Sequence, residues 1–333
     1  MKRARHNRAE KREQSRIESV QAAEPQLVRI EKPVYGGAFL ARVEKKAIFV
    51  PLTMPGELAR VRIVEDKRGY ANAEVDEILE QAVERIAPEC RHFGACGGCQ
   101  YQHMDAKTQL TMKQAILRET LERGGVQAPV DIDVLAGEPW YYRNRIRLAV
   151  DSSCCLGYRS RRSHSIVAME ECPIAAPLLV SAAKAFAEVA RAQQRMLRIN
   201  EVTLFCNTEE TQLLASVTAK SGDGVQFAAL AHAWLERVPQ LVGAELLVED
   251  RGGEIKHGAA WGAGSLSYQA AGITYRVDHG AFFQVNRWLV DPLVKRVTAG
   301  ETGGTAWDLY AGVGLFARQL TQSFERVIAV EPA

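Results

Sequence analysis

Three cysteines within ten residues, Cys90, Cys96 and Cys99, stand in C-x5-C-x2-C spacing with Gly94, Gly97 and Gly98 between them. Glycine reaches backbone dihedrals closed to other residues, so this run can wrap three thiolates around one centre. As a hydrophobic core it would be poor, because it is short and glycine-rich. A closed site needs a fourth ligand. Cys172, in Glu170-Glu171-Cys172-Pro173, is the best candidate, because proline follows the cysteine as it does in several cluster-binding runs. Cys154, Cys155 and Cys206 remain over. Four thiolates suit structural zinc or a [4Fe–4S] cluster, and the spacing does not choose between them. The C-x3-C-x2-C run of radical-SAM enzymes does not match.

The remaining sequence says where such a site would sit. A chain of 333 residues, 47% hydrophobic and 25% charged, is long enough for two or three domains. Apolar runs are broken by charge or glycine before 18 residues, and no apolar stretch backs the basic N-terminus. A cytoplasmic chain with no membrane contact is expected, where thiols stay reduced and metal binding outranks disulfides. The formal net charge is only +2, yet residues 1–16 hold Lys2, Arg3, Arg5, Arg8, Lys11, Arg12 and Arg16 against Glu10 and Glu13. Residues 1–26 read as a disordered basic arm, either drawn to phosphates or simply solvated.

Residues 27–86 show short alternating runs between turns and predict a small β-barrel. In Leu58–Val64, Arg60 and Arg62 share one face and Val61 and Ile63 the other, so one face should be wet and basic. Asp105 opens a helical pattern with Leu110, Ile116, Leu117 and Leu121 that ends at Gly124-Gly125. Residues 87–274 read as a central α+β domain carrying the cysteine loop, with strands near 202–206, 212–217 and 245–248 and a helix over 177–191. The last stretch, 275–333, predicts a helix over 287–297, a buried strand 306–310, a glycine loop, a helix and a strand over 327–330. That is the start of a doubly wound, Rossmann-like α/β domain.

In Asp308-Leu309-Tyr310-Ala311-Gly312-Val313-Gly314 a G-x-G loop follows a strand directly, where a ligand can approach backbone without meeting a Cβ. Glu331, at the end of the next strand, offers a carboxylate suited to a ribose diol. S-adenosylmethionine (SAM), NAD and a purely structural turn all remain open on this pattern, since Ala317 stands where the third glycine of G-x-G-x-x-G would be.

The run Cys90-Arg91-His92-Phe93-Gly94-Ala95-Cys96-Gly97-Gly98-Cys99-Gln100-Tyr101-Gln102-His103 resembles the cluster signature of the bacterial ribosomal RNA uracil-5 methyltransferases. Tyr35-Gly36-Gly37 and Pro55-Gly56-Glu57 resemble the TRAM domain, an OB-like barrel that binds RNA. Tyr142-Arg143-Asn144 and Gly280–Asn286 are similar to later motifs of the family, so the resemblance spans roughly residues 27–333. It implies a [4Fe–4S] cluster on Cys90, Cys96, Cys99 and Cys172, with zinc as the alternative. It further implies SAM contacts from Gln284, Tyr310 and Glu331, with Asp308 opening the first cofactor motif and Gly312 and Gly314 in its loop. Phe282 and Phe283 either line the pocket or pack in the core. Leu315 departs from a polar residue found in some members.

The implied reaction is methylation at C5 of a uridine in RNA, more readily 23S ribosomal than transfer RNA, by a monomer. Arg60, Arg62, Arg143, Arg145, Arg161 and Arg162 are candidate RNA contacts, although arginines at period two also mark any half-exposed strand. Uracil C5 needs a cysteine thiolate at C6 before it attacks the methyl group. The family's cysteine and base are expected C-terminal to Ala333, so no catalytic residue is assigned and the chain as given is expected to be inactive. The competing reading is a non-catalytic RNA-binding iron–sulfur protein.

Overall fold

A computed structural model describes residues 24–193, 197–250 and 252–332. The basic arm predicted over residues 1–26 falls almost wholly outside them. The chain forms two compact units, one up to Glu89 together with Cys99–Val134, the other Cys90–Gly98 together with the residues from Leu135 on.

The first unit is the barrel. Strands β1 (Gln26–Pro33), β2 (Ala38–Val43), β3 (Lys46–Pro51), β4 (Leu58–Asp66) and β5 (Tyr70–Glu80) close in the order β1-β2-β3-β5-β4. All pairs are antiparallel except β3 with β5. Period-two alternation sends Val28, Ile30, Phe39, Ile48, Val50 and Val61 inward. Helix α1 (Ala106–Arg123) begins where Asp105 accepts from the Thr108 amide and ends at Gly124, as its sequence predicts. It belongs with the barrel and not with the central domain. Met104 completes the barrel core and Met112 packs against it, while Lys32 pairs with Glu119 at 2.7 Å. The predicted apolar face of α1 is not fully buried anywhere, and Leu117 is 45% exposed.

The second unit is built on a seven-stranded sheet in the order β12-β11-β10-β9-β6-β7-β8. Its strands are β6 (Arg145–Val150), β7 (Leu156–Arg159), β8 (Ile166–Ala168), β9 (Ile199–Cys206), β10 (Leu213–Ala219), β11 (Leu241–Glu249) and β12 (Ile255–Gly262). Helix α2 (Pro177–Gln193) and helix α3 (Gly224–Leu235) cover it. α3 links the parallel pair β10 and β11, a crossover that needs such a helix. Phe186 and Trp234 meet between the helices at 4.6 Å, and the indole N–H donates to the Ala182 carbonyl at 3.0 Å.

The hairpin of β13 (Ser265–Ala270) and β14 (Ile273–Asp278) leads to α4 (Val290–Thr298), β15 (Gly303–Leu309), the single turn α5 (Ala317–Leu320) and β16 (Phe324–Val330). β15 and β16 pair in parallel. Three sequence expectations need correction here. A domain boundary at residue 275 would cut the β14 half of a hairpin. α4 starts at Val290, because residues 285–287 are held beside Tyr142–Asn144 by backbone hydrogen bonds and 287–289 form a turn. The strand expected to be buried alternates: Ala306 and Asp308 face inward, while Trp307 and Leu309 are each 62% exposed.

Candidate functional site

The glycine loop hangs from the C-terminal ends of β15 and β16. Tyr310 and Gly312 adopt φ of +63° and +56°, a region where glycine is at ease and a larger residue is strained. The Gly312 N–H donates to Glu331 Oε2 at 2.8 Å, and the Ala311 N–H to the Val330 carbonyl at 3.1 Å. Beneath the loop the buried Asp308 accepts from the Ala317 N–H at 2.8 Å, which caps α5. The Tyr275 hydroxyl donates to the Leu315 carbonyl at 3.0 Å and Gln319 to the Ala271 carbonyl at 2.6 Å. The hairpin thus anchors the loop, and Leu315 packs in its core instead of facing a ligand.

Beside the loop runs the segment 281–286. Phe283 is buried against Phe205 and Tyr268, whereas Phe282 is 70% exposed. The Phe282 carbonyl lies close to Gly312, 3.9 Å from where a Cβ would stand. Asn144 holds the Gln284 carbonyl at 2.9 Å and meets the Tyr268 hydroxyl at 3.1 Å. Tyr310, Gly312, Gly314, Asp308 and Glu331 therefore gather around one loop, and Gln284 lies on the segment that passes it at Phe282.

The cysteine loop is folded against β7. Gly97 donates to the Arg159 carbonyl at 3.0 Å and Arg161 to the Ala95 carbonyl at 3.1 Å. A Cβ on Gly97 would stand 3.0 Å from the Arg159 carbonyl oxygen, too close for any other residue without a shift. Arg91 spans Glu170 and Glu171 at 2.8 and 3.4 Å, joining the loop to the Cys172 segment. Cys90, Cys96 and Cys172 are all half-buried. Burial raises the Cys90 and Cys96 thiols above their ordinary range, and the charge of Cys172 raises both further. Amides of His92 and Phe93 donate to the Cys90 sulfur, and that of Gly98 to the Cys96 sulfur at 3.4 Å. Among the described residues no three His, Cys, Asp or Glu side chains stand at metal-binding distance. Cys99 follows Gly98 in the stretch that folds with the barrel.

The arginines divide. Arg60 pairs with Glu77, and Arg62 with Glu74 and Asp76 at 3.5 and 3.3 Å, so the barrel face expected to be basic is mixed in charge. The pairing is cross-strand and invisible in the local pattern. Arg145 turns inward, its guanidinium 4.4 Å over the Phe205 ring and donating to the Ala281 carbonyl at 2.7 Å; burial lowers its pKa. It braces the 281–286 segment. Arg143 is half-buried, and its backbone is fastened to Ile174 and Ala176 at 2.8 Å each. Arg162 is exposed with φ of +59°, and Arg161 is half-exposed on the same turn. Sequence reasoning missed Asn144 as the residue that holds the 281–286 segment. Asn144 lay in a motif already noticed, but its role depends on a contact 140 residues away.

Residues 23–75 match the family model of the TRAM domain. The fold resembles that of the Pyrococcus abyssi tRNA (uracil-54, C5)-methyltransferase solved with S-adenosyl-L-homocysteine, at a TM-score of 0.67 and 19% identity, over 90% of this chain and 78% of that one. Barrel, central sheet and parallel glycine-loop element together define the class, a TRAM-bearing protein of methyltransferase fold. Sequence then sets the family. The 23S rRNA (uracil(1939)-C(5))-methyltransferase RlmD of Dichelobacter nodosus is 31% identical over 89% of this chain and 69% of its own length. That of Alkalilimnicola ehrlichii is 31% identical over 93% and 71%. The chain belongs to this family of 23S rRNA uracil-C5 methyltransferases.

Proposed function

We propose that the chain binds SAM at the glycine loop and an unpaired uridine of RNA, 23S rRNA in the first instance, for methylation at C5. The observation that carries this reading is the Gly312–Glu331 contact. It sets a carboxylate and a close-approach backbone together at the carboxyl ends of two parallel strands, where open α/β sheets take their ligands. Glu331 would receive the ribose hydroxyls, Gly312 and Gly314 the body of the cofactor, and Tyr310 and Gln284 its two ends, with Asp308 holding the loop from below. The barrel and the Arg161–Arg162 turn would meet RNA phosphates.

Cys90, Cys96, Cys99 and Cys172 would hold a [4Fe–4S] cluster, which supplies a rigid, charge-compensated joint between the cysteine loop and the Arg159–Arg162 turn. In the reaction itself a cysteine thiolate adds to uracil C6, the resulting enolate takes the methyl group from SAM, and a base removes the C5 proton as the thiolate leaves. None of the seven cysteines in the chain is placed for that step. Cys206 is buried, its thiol pushed up to about 12 by desolvation, and Cys154 and Cys155 lie in the turn before β7. We read the 333-residue chain as a binding unit, with no catalytic residue assigned in it.

Calorimetric titration with S-adenosylhomocysteine tests this. The chain should bind it, and Glu331→Gln should weaken binding by at least about tenfold, the worth of a hydrogen bond to a charged group. Unchanged affinity in the variant, or methyl transfer to rRNA by the chain alone, would count against the assignment.

A further inference from the structure

Tyr141 adopts φ of +54°, a left-handed conformation that strains a bulky residue and suits glycine or asparagine. The turn is held from both sides. The Tyr141 N–H donates to the Pro173 carbonyl at 2.8 Å, and the Tyr141 carbonyl accepts from Arg287 Nε at 2.8 Å. Arg287 is itself buried, fixed by Glu210 at 2.6 Å and by the Thr208 carbonyl at 3.2 Å. On either flank the Trp140 carbonyl accepts from the Trp288 indole N–H and the Tyr142 carbonyl from the Arg287 amide, each at 2.9 Å. Strain of this kind persists where neighbours over-determine it, and it gathers where a protein meets its ligands. Yet Tyr141 is 49% exposed. A turn wanted for shape alone is made with less strain by glycine, and a ring wanted for packing alone would be buried. The clamp holds an aromatic ring out toward solvent.

Two residues on, Nε of Arg143 is buried and meets no acceptor among the described residues, which favours an anionic partner over an apolar one. Tyr142–Asn144 runs beside residues 285–287, and Phe282, whose carbonyl faces the glycine loop, precedes Arg287 by five residues. Five residues span at most about 18 Å, so the clamp of Tyr141 stands close to the loop along one segment. We propose that the Tyr141 ring is a stacking platform for an unpaired RNA base that neighbours the one offered at the glycine loop. The proposal rests on the reading of the chain as an RNA binder and adds the contact this side chain makes. Stacking on an exposed ring holds single-stranded RNA with little regard to base identity, because every base has a π face.

Fluorescence anisotropy with a labelled single-stranded oligoribonucleotide carrying one central uridine tests it, together with the same strand bearing 2-aminopurine at successive flanking positions. Tyr141→Asn, which keeps the left-handed turn without the ring, should weaken binding about five- to a hundredfold. Its melting temperature should hold, and so should the slope of log affinity against log salt, because a stacked ring neutralises no phosphate. At saturating protein, 2-aminopurine at one flanking position should be quenched by the unsubstituted chain and by Tyr141→Trp, and not by Tyr141→Asn. Full affinity and intact quenching in Tyr141→Asn overturn the proposal and leave the RNA reading standing. An unsubstituted chain with no affinity for the strand overturns both. Should Tyr141→Asn fail to fold, Tyr141→Gly, at ease at this φ, answers by the same criteria.

Discussion

Glu57 has no exposed surface, yet its carboxylate accepts from the Met54 and Ala82 amides and from two nitrogens of Arg85. The Pro55-Gly56-Glu57 turn exists to place it. Taking one partner from a buried, hydrogen-bonded pair leaves the other charge uncompensated. Glu57→Ala should cost the barrel about 3 kcal/mol, read by urea denaturation, where a loss within about 0.5 kcal/mol would refute the assignment. His279 poses the converse case. Its ring is mostly buried, 3.8 Å from Glu245, and desolvation lowers its pKa despite that carboxylate. A histidine whose folded pKa lies below its unfolded value is stable as the neutral form, so its contribution is intact above the unfolded value near 6.5. It is lost progressively as the pH falls below that value. Stability of the second unit should decline as the pH falls below about 6.5, and His279→Gln should flatten that slope; parallel slopes for the two chains would remove His279 from the account.

At the scale of elements, ends were easier to read than partners. Asp105 with Gly124 bounded α1 to the residue, because capping is local chemistry. The same grammar was available for α3 and went unread. Asp223 accepts from the Val225 and Gln226 amides, and Phe227, Leu230, Ala231 and Trp234 are buried at helical spacing. Asp223→Ala should lower stability by about 1 kcal/mol with the fold intact by circular dichroism. The glycine loop was legible for a different reason, since only its backbone conformation had to be inferred. Gly312→Val, with a branched side chain forced to a φ of +56°, should weaken S-adenosylhomocysteine binding by at least about tenfold; titration at wild-type affinity would free the loop of its assigned role. The partners of Arg60 and Arg145, Glu77 and Phe205, lie on other strands, and no local pattern records a register.

For the whole molecule, the sequence predicts a basic arm and three successive folded segments, whereas the described residues form two units that alternate along the chain. The barrel's closing contacts come from beyond the cysteine loop. His103 Nε2 meets the Thr53 carbonyl at 2.9 Å, the Ile86 amide donates to the His103 carbonyl at 3.0 Å, and Gln100 reaches the Gly36 carbonyl at 3.2 Å. Composition and periodicity are blind to such a return, because they score each stretch against itself. A fragment ending at Val134 should therefore melt well above one ending at Glu89 by circular dichroism. Equal melting temperatures would make the five strands self-sufficient.

The excursion from Cys90 to Gly98 also has a consequence in time. A ribosome adds about 5 to 20 residues per second, so the stretch between Glu89 and Val134 takes about 2 to 9 s to make at that rate. For the first 15 residues of that stretch, about 1 to 3 s at the same rate, a nascent barrel with all five strands stands without its plug of Tyr101, His103 and Met104. The thiols of Cys90, Cys96 and Cys99 emerge during the same interval, well ahead of Cys172. The Cys172 segment, tied to the cysteine loop through Arg91, arrives only after another seventy-odd residues.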